Sequence, residues 1–262
     1  MIEKGLPLKF KPYITKNLLR LGHNKDGGYV INKEILEKSN VLLTFGLADE
    51  FSFEEDYFKY KPSGKILVYD HTVNSKFWIK HILKWFFHFI RNRTNFFRIF
   101  KFFQYRNFFK KKNVNHFKLQ VRKHDTEIPN SISIKEIIEQ NNITPQTTLL
   151  KIDIDMDEYR ILDDITNFNF LAVIIEFTHA DLNQEKILKF CENNKYKIIH
   201  LHGNNFEYPD ENLNPTLLEI TFANKHLIEV SDKNIDYKLP IEKLDFKNDN
   251  KKPDIEIIFK NS

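Results

Sequence analysis

Acidic, histidine and amide side chains interrupt the apolar runs of this 262-residue chain at recurring places, each time just after a stretch of Val, Ile, Leu or Phe. VLLTFGLADEFS carries Gly46 and Asp49 ahead of Ser52, and KILVYD ends in Asp70. VRKHD ends in Asp125, and LLKIDID in Asp153 and Asp155. VIIEFTHAD holds Glu176, Thr178 and His179, while IIHLHGNN holds His200, His202, Asn204 and Asn205. A carboxylate set in apolar sequence is costly unless it is paired or used, so the repetition points to a built site. Carboxylates and imidazoles together suit proton transfer, or oxygen-rich ligation of Mg or Mn. A carboxylate closing the second strand suits a pair of ribose hydroxyls, because it can accept both hydrogen bonds. Gly46 lets a ligand approach the backbone, or serves only as a turn; a single glycine is not the GxGxxG fingerprint of dinucleotide binding.

These residues need a scaffold that brings them to one edge. Val41–Phe45, Lys65–Tyr69, Phe117–Arg122, Thr148–Ile154, Leu171–Phe177, Lys197–Leu201 and Leu217–Phe222 read as strands. They are nearly continuous in β-branched and aliphatic residues, the pattern of a parallel sheet buried on both faces. Helices are expected between them. Ser52 with Glu55, and Ser133 with Glu136, have capping-box spacing, and residues 183–193 place Ile187, Leu188 and Cys191 on one face. Alternating strands and helices predict a doubly wound α/β sheet with its ligands beyond the C-terminal strand ends. Upstream, Asp26-Gly27-Gly28-Tyr29 belongs to a segment holding three of the seven glycines. It reads as a sharp turn, or as a loop that lays Tyr29 over a ligand.

Charge divides the chain. From His71 to His124 there are fourteen Lys and Arg and no acid, whereas the other 26 bases stand against 36 acids. Within this basic insert, residues 72–116, Trp78, Ile82, Trp85 and Phe89 share one helical face, with Lys76, Lys80, Lys84 and Arg91 opposite. A second stretch sets Phe96, Phe100 and Phe103 against Arg98 and Lys101. The readings are two helices burying aromatics under solvated basic faces, a lid over an anionic substrate, or a hairpin on anionic lipid. Binding of RNA ranks last, since no named RNA-binding motif is present. Residues 1–262 are expected to form one domain, with 238–262 an irregular extension around Pro240 and Pro253. The lone Cys191 and the lack of a long uncharged apolar stretch favour a cytoplasmic protein, at most resting on the inner face of a membrane. The excess of Phe (25) over Ala, found only at 48, 172, 180 and 223, fits AT-rich bacterial coding.

Several short motifs in order resemble the FkbM-type family of S-adenosylmethionine-dependent methyltransferases. RLGHNKDGGYVI resembles the family's "RxG…DGGYV" segment, and LLTFGLADEFSFEED its first-strand motif. LLKIDIDMDEYRIL resembles "KxDxEGxEyxxL" with Asp153 and Glu158 matched, Asp155 replacing Glu and Met156 replacing Gly. IIEFTHA, HLHGNNF and PTLLEITF, with its Glu219, resemble the later motifs. The resemblance implies a Rossmann-like class I methyltransferase fold and methyl transfer to a hydroxyl, commonly on a sugar. It implies that Gly46 and Asp49 line the methionine part of the cofactor, Asp70 the ribose and Asp125 the adenine, with Asp153 near the transferred methyl. His202 is the expected base, with Glu176, His179 and Asp155 around it; Asp153, Glu176 and His202 form the candidate metal set. A nucleotide-diphosphate sugar, met by the basic insert during capsule or surface-glycan synthesis, is the substrate expected. The alternative is a membrane-surface or nucleic-acid binding module on a degenerate methyltransferase fold.

Overall fold

The computed structural model describes residues 4–92, 100–192 and 195–260, with the side chains of 88–92 outside the description. In chain order it contains β1 (Leu6–Pro7), β2 (Leu18–Leu21), β3 (Tyr29–Asn32), α1 (Lys33–Lys38), β4 (Val41–Phe45), α2 (Ser52–Tyr60) and β5 (Lys65–Tyr69). The insert supplies α3 (Ser75–Asn92) and α4 (Lys101–Phe108). There follow β6 (Val114–Phe117), β7 (Gln120–Arg122), β8 (Ser131–Ser133), α5 (Ile134–Asn141), β9 (Thr148–Ile152) and α6 (Glu158–Asn167). β10 (Ala172–Thr178), α7 (Gln184–Cys191), β11 (Tyr196–Gly203), β12 (Leu217–Asn224) and β13 (Phe259–Lys260) complete the chain.

Seven strands form one sheet in the order β6-β5-β4-β9-β10-β12-β11. β6, β5, β4, β9 and β10 pair in parallel, and β12 runs antiparallel between β10 and β11. Every residue of β4 and β9 is buried, which explains their continuous apolar sequences. Successive side chains go to opposite faces. Leu43, Leu67, Leu150 and Val173 pack under Ile137, Ile161, Ile165 and Ile187 of α5, α6 and α7. Leu42, Ile66, Leu149 and Ile174 meet Ile35, Leu36, Phe53 and Tyr57 of α1 and α2 on the other side. Each such side chain fully withdrawn from water contributes roughly 1.5–3 kcal/mol.

Two strand expectations change. Phe117–Arg122 is not one strand. The sheet strand ends at Phe117, and Gln120–Arg122 pairs instead with Ser131–Ser133 in a separate ribbon. The last sheet strand is antiparallel, which apolar composition cannot reveal, because a strand buried on both faces looks the same in either direction. The Ser133–Glu136 capping box forms, with both reciprocal bonds made. The Ser52–Glu55 box does not, because Phe51 is the N-cap and no side chain caps it.

β2 and β3 form an antiparallel hairpin whose turn, Gly22–Gly28, wraps the Arg20 guanidinium. Arg20 donates from Nε to the carbonyl of His23 (2.8 Å) and from Nη2 to that of Lys25 (2.7 Å). The Thr221 hydroxyl donates to the Val30 carbonyl at 2.7 Å, fastening β3 to the sheet. In the insert, Trp78 and Trp85 are buried with Val73 against Ile82, Phe102 and Tyr105. Phe89, Arg91, Phe96 and Arg98 fall outside the described side chains. Lys101 is not on a solvated face: its Nζ reaches Glu50 at 2.9 Å, while Phe103 stands exposed. Residues 238–260 are irregular except for β13, which pairs with β1.

Candidate active site

A cleft of about 290 Å³ opens beyond the C-terminal ends of β4, β5 and β9, bounded by Gly46, Asp70, Leu119, Gln120, Asp153 and Asp155. Gly46 (φ +81°) makes the first wall possible. A Cβ there would lie 1.7 Å from the Asp153 carbonyl oxygen, so no other residue fits. Asp70 organises the turn beyond it. Its Oδ2 accepts from the backbone N–H groups of Leu47 (2.9 Å) and Ala48 (3.1 Å). Its Oδ1 accepts from the Thr72 N–H (2.7 Å) and hydroxyl (2.6 Å). Burial alone would raise the Asp70 pKa, but these four donors outweigh it and hold the carboxyl below its usual range. The Thr72 residue is exposed, so its hydroxyl is the donor most easily turned aside for a ligand's hydroxyl.

At the neighbouring strand ends, Tyr29 is delivered by the N-terminal hairpin. Its hydroxyl lies 3.2 Å from Asp153 Oδ2 and 3.1 Å from Glu176 Oε2. Asn204 Nδ2 donates to Glu176 Oε1 at 3.0 Å. A phenol carries one proton and can donate to only one carboxylate. Both contacts are hydrogen bonds only if one acid is protonated and donates to the phenol oxygen. Burial, reinforced by Asp153, Glu219 and Asp26, pushes Glu176 well above the ordinary glutamate value. Burial therefore favours Glu176 as the acid that carries the proton, with Tyr29 donating toward Asp153. Burial also raises Asp153, opposed by the nearby Lys151 ammonium and assisted by Asp155.

Lys151 lies beneath this trio, fully enclosed. Its Nζ is 3.6 Å from Glu54 Oε1 and 5.3 Å from the Tyr29 ring centroid. Thr44 Oγ1 donates to the same Glu54 oxygen at 2.9 Å. Burial disfavours the ammonium, yet Glu54, Asp153 and Glu176 outweigh it and keep Lys151 charged. Lys151 and Glu54 were absent from the candidate set. The signal for Lys151 was a charge in mid-strand of LLKIDID; Glu54 offered none, since acids are ordinary in a first helical turn.

Several expected site residues stand elsewhere. His202 is 1% exposed, with Nδ1 3.2 Å from Glu219 and Nε2 3.3 Å from Asp254. Burial would lower its pKa, but Asp254 and Glu219 raise it to about 10. A histidine already protonated, with both nitrogens engaged, is no general base. The metal set Asp153, Glu176 and His202 does not assemble: Tyr29 separates the acids and His202 turns to other partners. Among the described residues no group of three His, Cys, Asp or Glu is arranged to hold a metal ion. Asp125 is exposed, bonded to Lys123 at 3.0 Å, because the third sheet strand ends eight residues before it. Asp49 faces Lys101 at 3.9 Å, and Ser52 Oγ accepts from the His23 N–H at 3.0 Å; neither lines the cleft. His179 is exposed at φ +51°. Gly46, Asp70, Asp153 and Asp155 do line it.

Numbering only the sheet strands, the order is 3-2-1-4-5-7-6, with strand 7 antiparallel. The fold is that of a class I methyltransferase. In this fold the cleft occupies the crevice where the strand order reverses. Similar solved structures include a fibrillarin/Nop5p complex (13% identity, 71% of this chain and 73% of that one, TM-score 0.41). Precorrin-6y C5,15-methyltransferase from Geobacter metallireducens GS-15 has 14% identity over 72% of this chain and 85% of its own, with a TM-score of 0.38. M. jannaschii TYW2 in complex with AdoMet has 10% identity over 80% and 89%, with a TM-score of 0.36. No family model matches the sequence, and no curated protein sequence matches it. Gly46 leaves the backbone bare at the cleft wall, and Asp70 stands at the end of the second sheet strand.

Proposed function

We propose that the chain is an S-adenosylmethionine-dependent O-methyltransferase of the FkbM kind, acting on a hydroxyl of a nucleotide-activated or polysaccharide-bound sugar in bacterial surface-glycan synthesis. The observation that carries this reading is the opening of the Gly46–Asp70 cleft directly onto Asp153. A cofactor-binding crevice thereby adjoins a carboxylate of raised basicity. The cofactor, when bound, supplies an electrophilic methyl group. Gly46, Leu47, Ala48 and Asp70 would hold it.

The chain's own residues do the rest. Asp153 takes the acceptor hydroxyl's proton as the oxygen becomes nucleophilic, a contribution worth about 10²–10⁴-fold. Tyr29 and protonated Glu176 stabilise the Asp153 carboxylate beforehand and fix its orientation. Lys151 lies below as a fixed positive charge, limiting the cost of two acids so close together. The sugar and surface-glycan assignments rest on the motif resemblance.

A second reading, a binding module without turnover, draws on the saturation of Asp70 and on Met156, which stands at φ +74° where the resembled motif has Gly. Calorimetric titration with S-adenosylhomocysteine, followed by a transfer assay, separates the two readings. Binding in the micromolar range, lost in Gly46→Ala, is expected; absence of binding removes the methyltransferase reading. If binding is seen, transfer of labelled methyl to nucleotide sugars by the wild-type chain is expected, and binding without transfer to any acceptor favours the module.

A further inference from the structure

The long insert helix α3 presents two apolar faces, of which the fold uses one. Trp78 and Trp85 point inward to Phe102 and Tyr105. On the outside Ile79, Leu83, Phe86 and Phe87 form a second stripe at i, i+4, i+7 and i+8, confined to an arc of roughly 100°. Ile79 is 59% exposed and Phe87 66%. Lys80 and Lys84 run along one border of this stripe and Lys76 stands at its N-terminal end, all exposed. No acid occurs anywhere between His71 and His124 to neutralise them. Ordinary surface helices show water a polar face; here water meets four large apolar side chains in a row.

We propose that the outer face of α3 docks on an anionic lipid bilayer, with Ile79, Leu83, Phe86 and Phe87 entering the acyl boundary and the lysines at headgroup level. An amphipathic helix with bulky apolar residues edged by lysine is the chemistry that binds such an interface, and each juxtamembrane Lys adds attraction to an anionic surface. Two other occupants fit less well. A second copy of this face would set lysine rows against each other with no carboxylate between. Single-stranded RNA binds by stacking on aromatic rings, and Ile79 and Leu83 have none. The helix is firmly held for the purpose. Trp78 packs 4.8 Å from the Tyr105 ring, and the Tyr105 hydroxyl bonds His116 Nδ1 at 2.5 Å, so the stripe is displayed by an anchored element.

The inference does not depend on methyl transfer, and its test reads binding alone. The full chain is sedimented with vesicles of phosphatidylcholine, and of phosphatidylcholine mixed with phosphatidylglycerol. Binding to the anionic vesicles is expected to exceed that to neutral ones by about tenfold or more, and to weaken as salt screens the lysines. Leu83→Glu/Phe87→Glu should lower it by about tenfold or more while leaving the melting temperature unchanged. Leu83→Ser/Phe87→Ser should act in the same direction and guards against misfolding of the charged variant. No binding to anionic vesicles, or binding as strong as the wild type's by both folded variants, would overturn the proposal. So would self-association, or RNA binding as tight as vesicle binding, that these same substitutions abolish.

Discussion

Asp70 and Glu176 stand toward the ends of two strands of one sheet, with only β4 and β9 between them, yet their pKa values are shifted in opposite directions. Both are largely withdrawn from water, so burial pushes both upward. The difference lies in donors. Asp70 receives four hydrogen bonds, three of them from backbone N–H groups. Glu176 has Asn204 and the Tyr29 hydroxyl, and it faces Asp153 nearby. A carboxylate is thus made structural or reactive by the number of N–H groups aimed at it rather than by its place along the sheet. His202 shows the same rule from the basic side, since its two carboxylate partners fix its charge.

The most forceful way to break this comparison is to exchange each acid for its amide. Asp153→Asn removes the proton acceptor and is expected to lower kcat by about 100-fold or more. Glu176→Gln keeps a neutral donor toward Tyr29 and an acceptor for Asn204, so kcat should change by only a few-fold. Steady-state kinetics on both variants checks the assignment, and the reverse ranking would sink it.

A smaller effect tests the closed ion cluster. His202 moves from an ordinary value of 6.5 to about 10 in the folded chain. The stability it contributes is complete below about pH 6.5 and is lost as pH rises through 10. Urea unfolding should show the wild-type chain losing on the order of a few kcal/mol across that window, and His202→Gln losing less. Equal slopes for the two would show that the histidine is neutral.

The smallest expected change is at Met156. A side chain at φ +74° costs about 1 kcal/mol that glycine does not incur, partly offset by glycine's freer unfolded state. Met156→Gly should therefore raise stability by no more than about 0.5 kcal/mol in thermal melts. A fall in melting temperature would mean that Met156 makes contacts outweighing its backbone conformation.

How much of this could be read from sequence follows from range. β4 and β5 matched their expected bounds residue for residue, because burial on both faces leaves a continuous apolar word bounded by turn residues. Gly46, Asp70 and Asp153 were legible as strand-end residues for the same reason. His202 was misread because its partners, Glu219 and Asp254, lie 17 and 52 residues away and bear no mark of pairing. Asp125 was misplaced by one wrong strand boundary, and Lys101 by helical periodicity, which reports a face and not what that face meets. Tyr29 was singled out for its glycine-rich turn, whereas its two acid partners emerge only from the folded sheet.

That last contact bears on when the site comes into being. The Tyr29 hydroxyl meets Asp153 and Glu176 across 124 and 147 residues of chain. Contacts of such separation form only after the loop-closure entropy of the intervening chain has been overcome. The β4–β9 pairing closes a loop of similar length, Val41 against Thr148, and without the hairpin the centre still lacks the hydroxyl that comes from outside the sheet. Docking of the β2–β3 hairpin completes it, so a chain that collapses without that hairpin buries two adjacent acids with no hydroxyl between them. The hydroxyl between the two acids thus depends on a segment that the sheet itself does not contain.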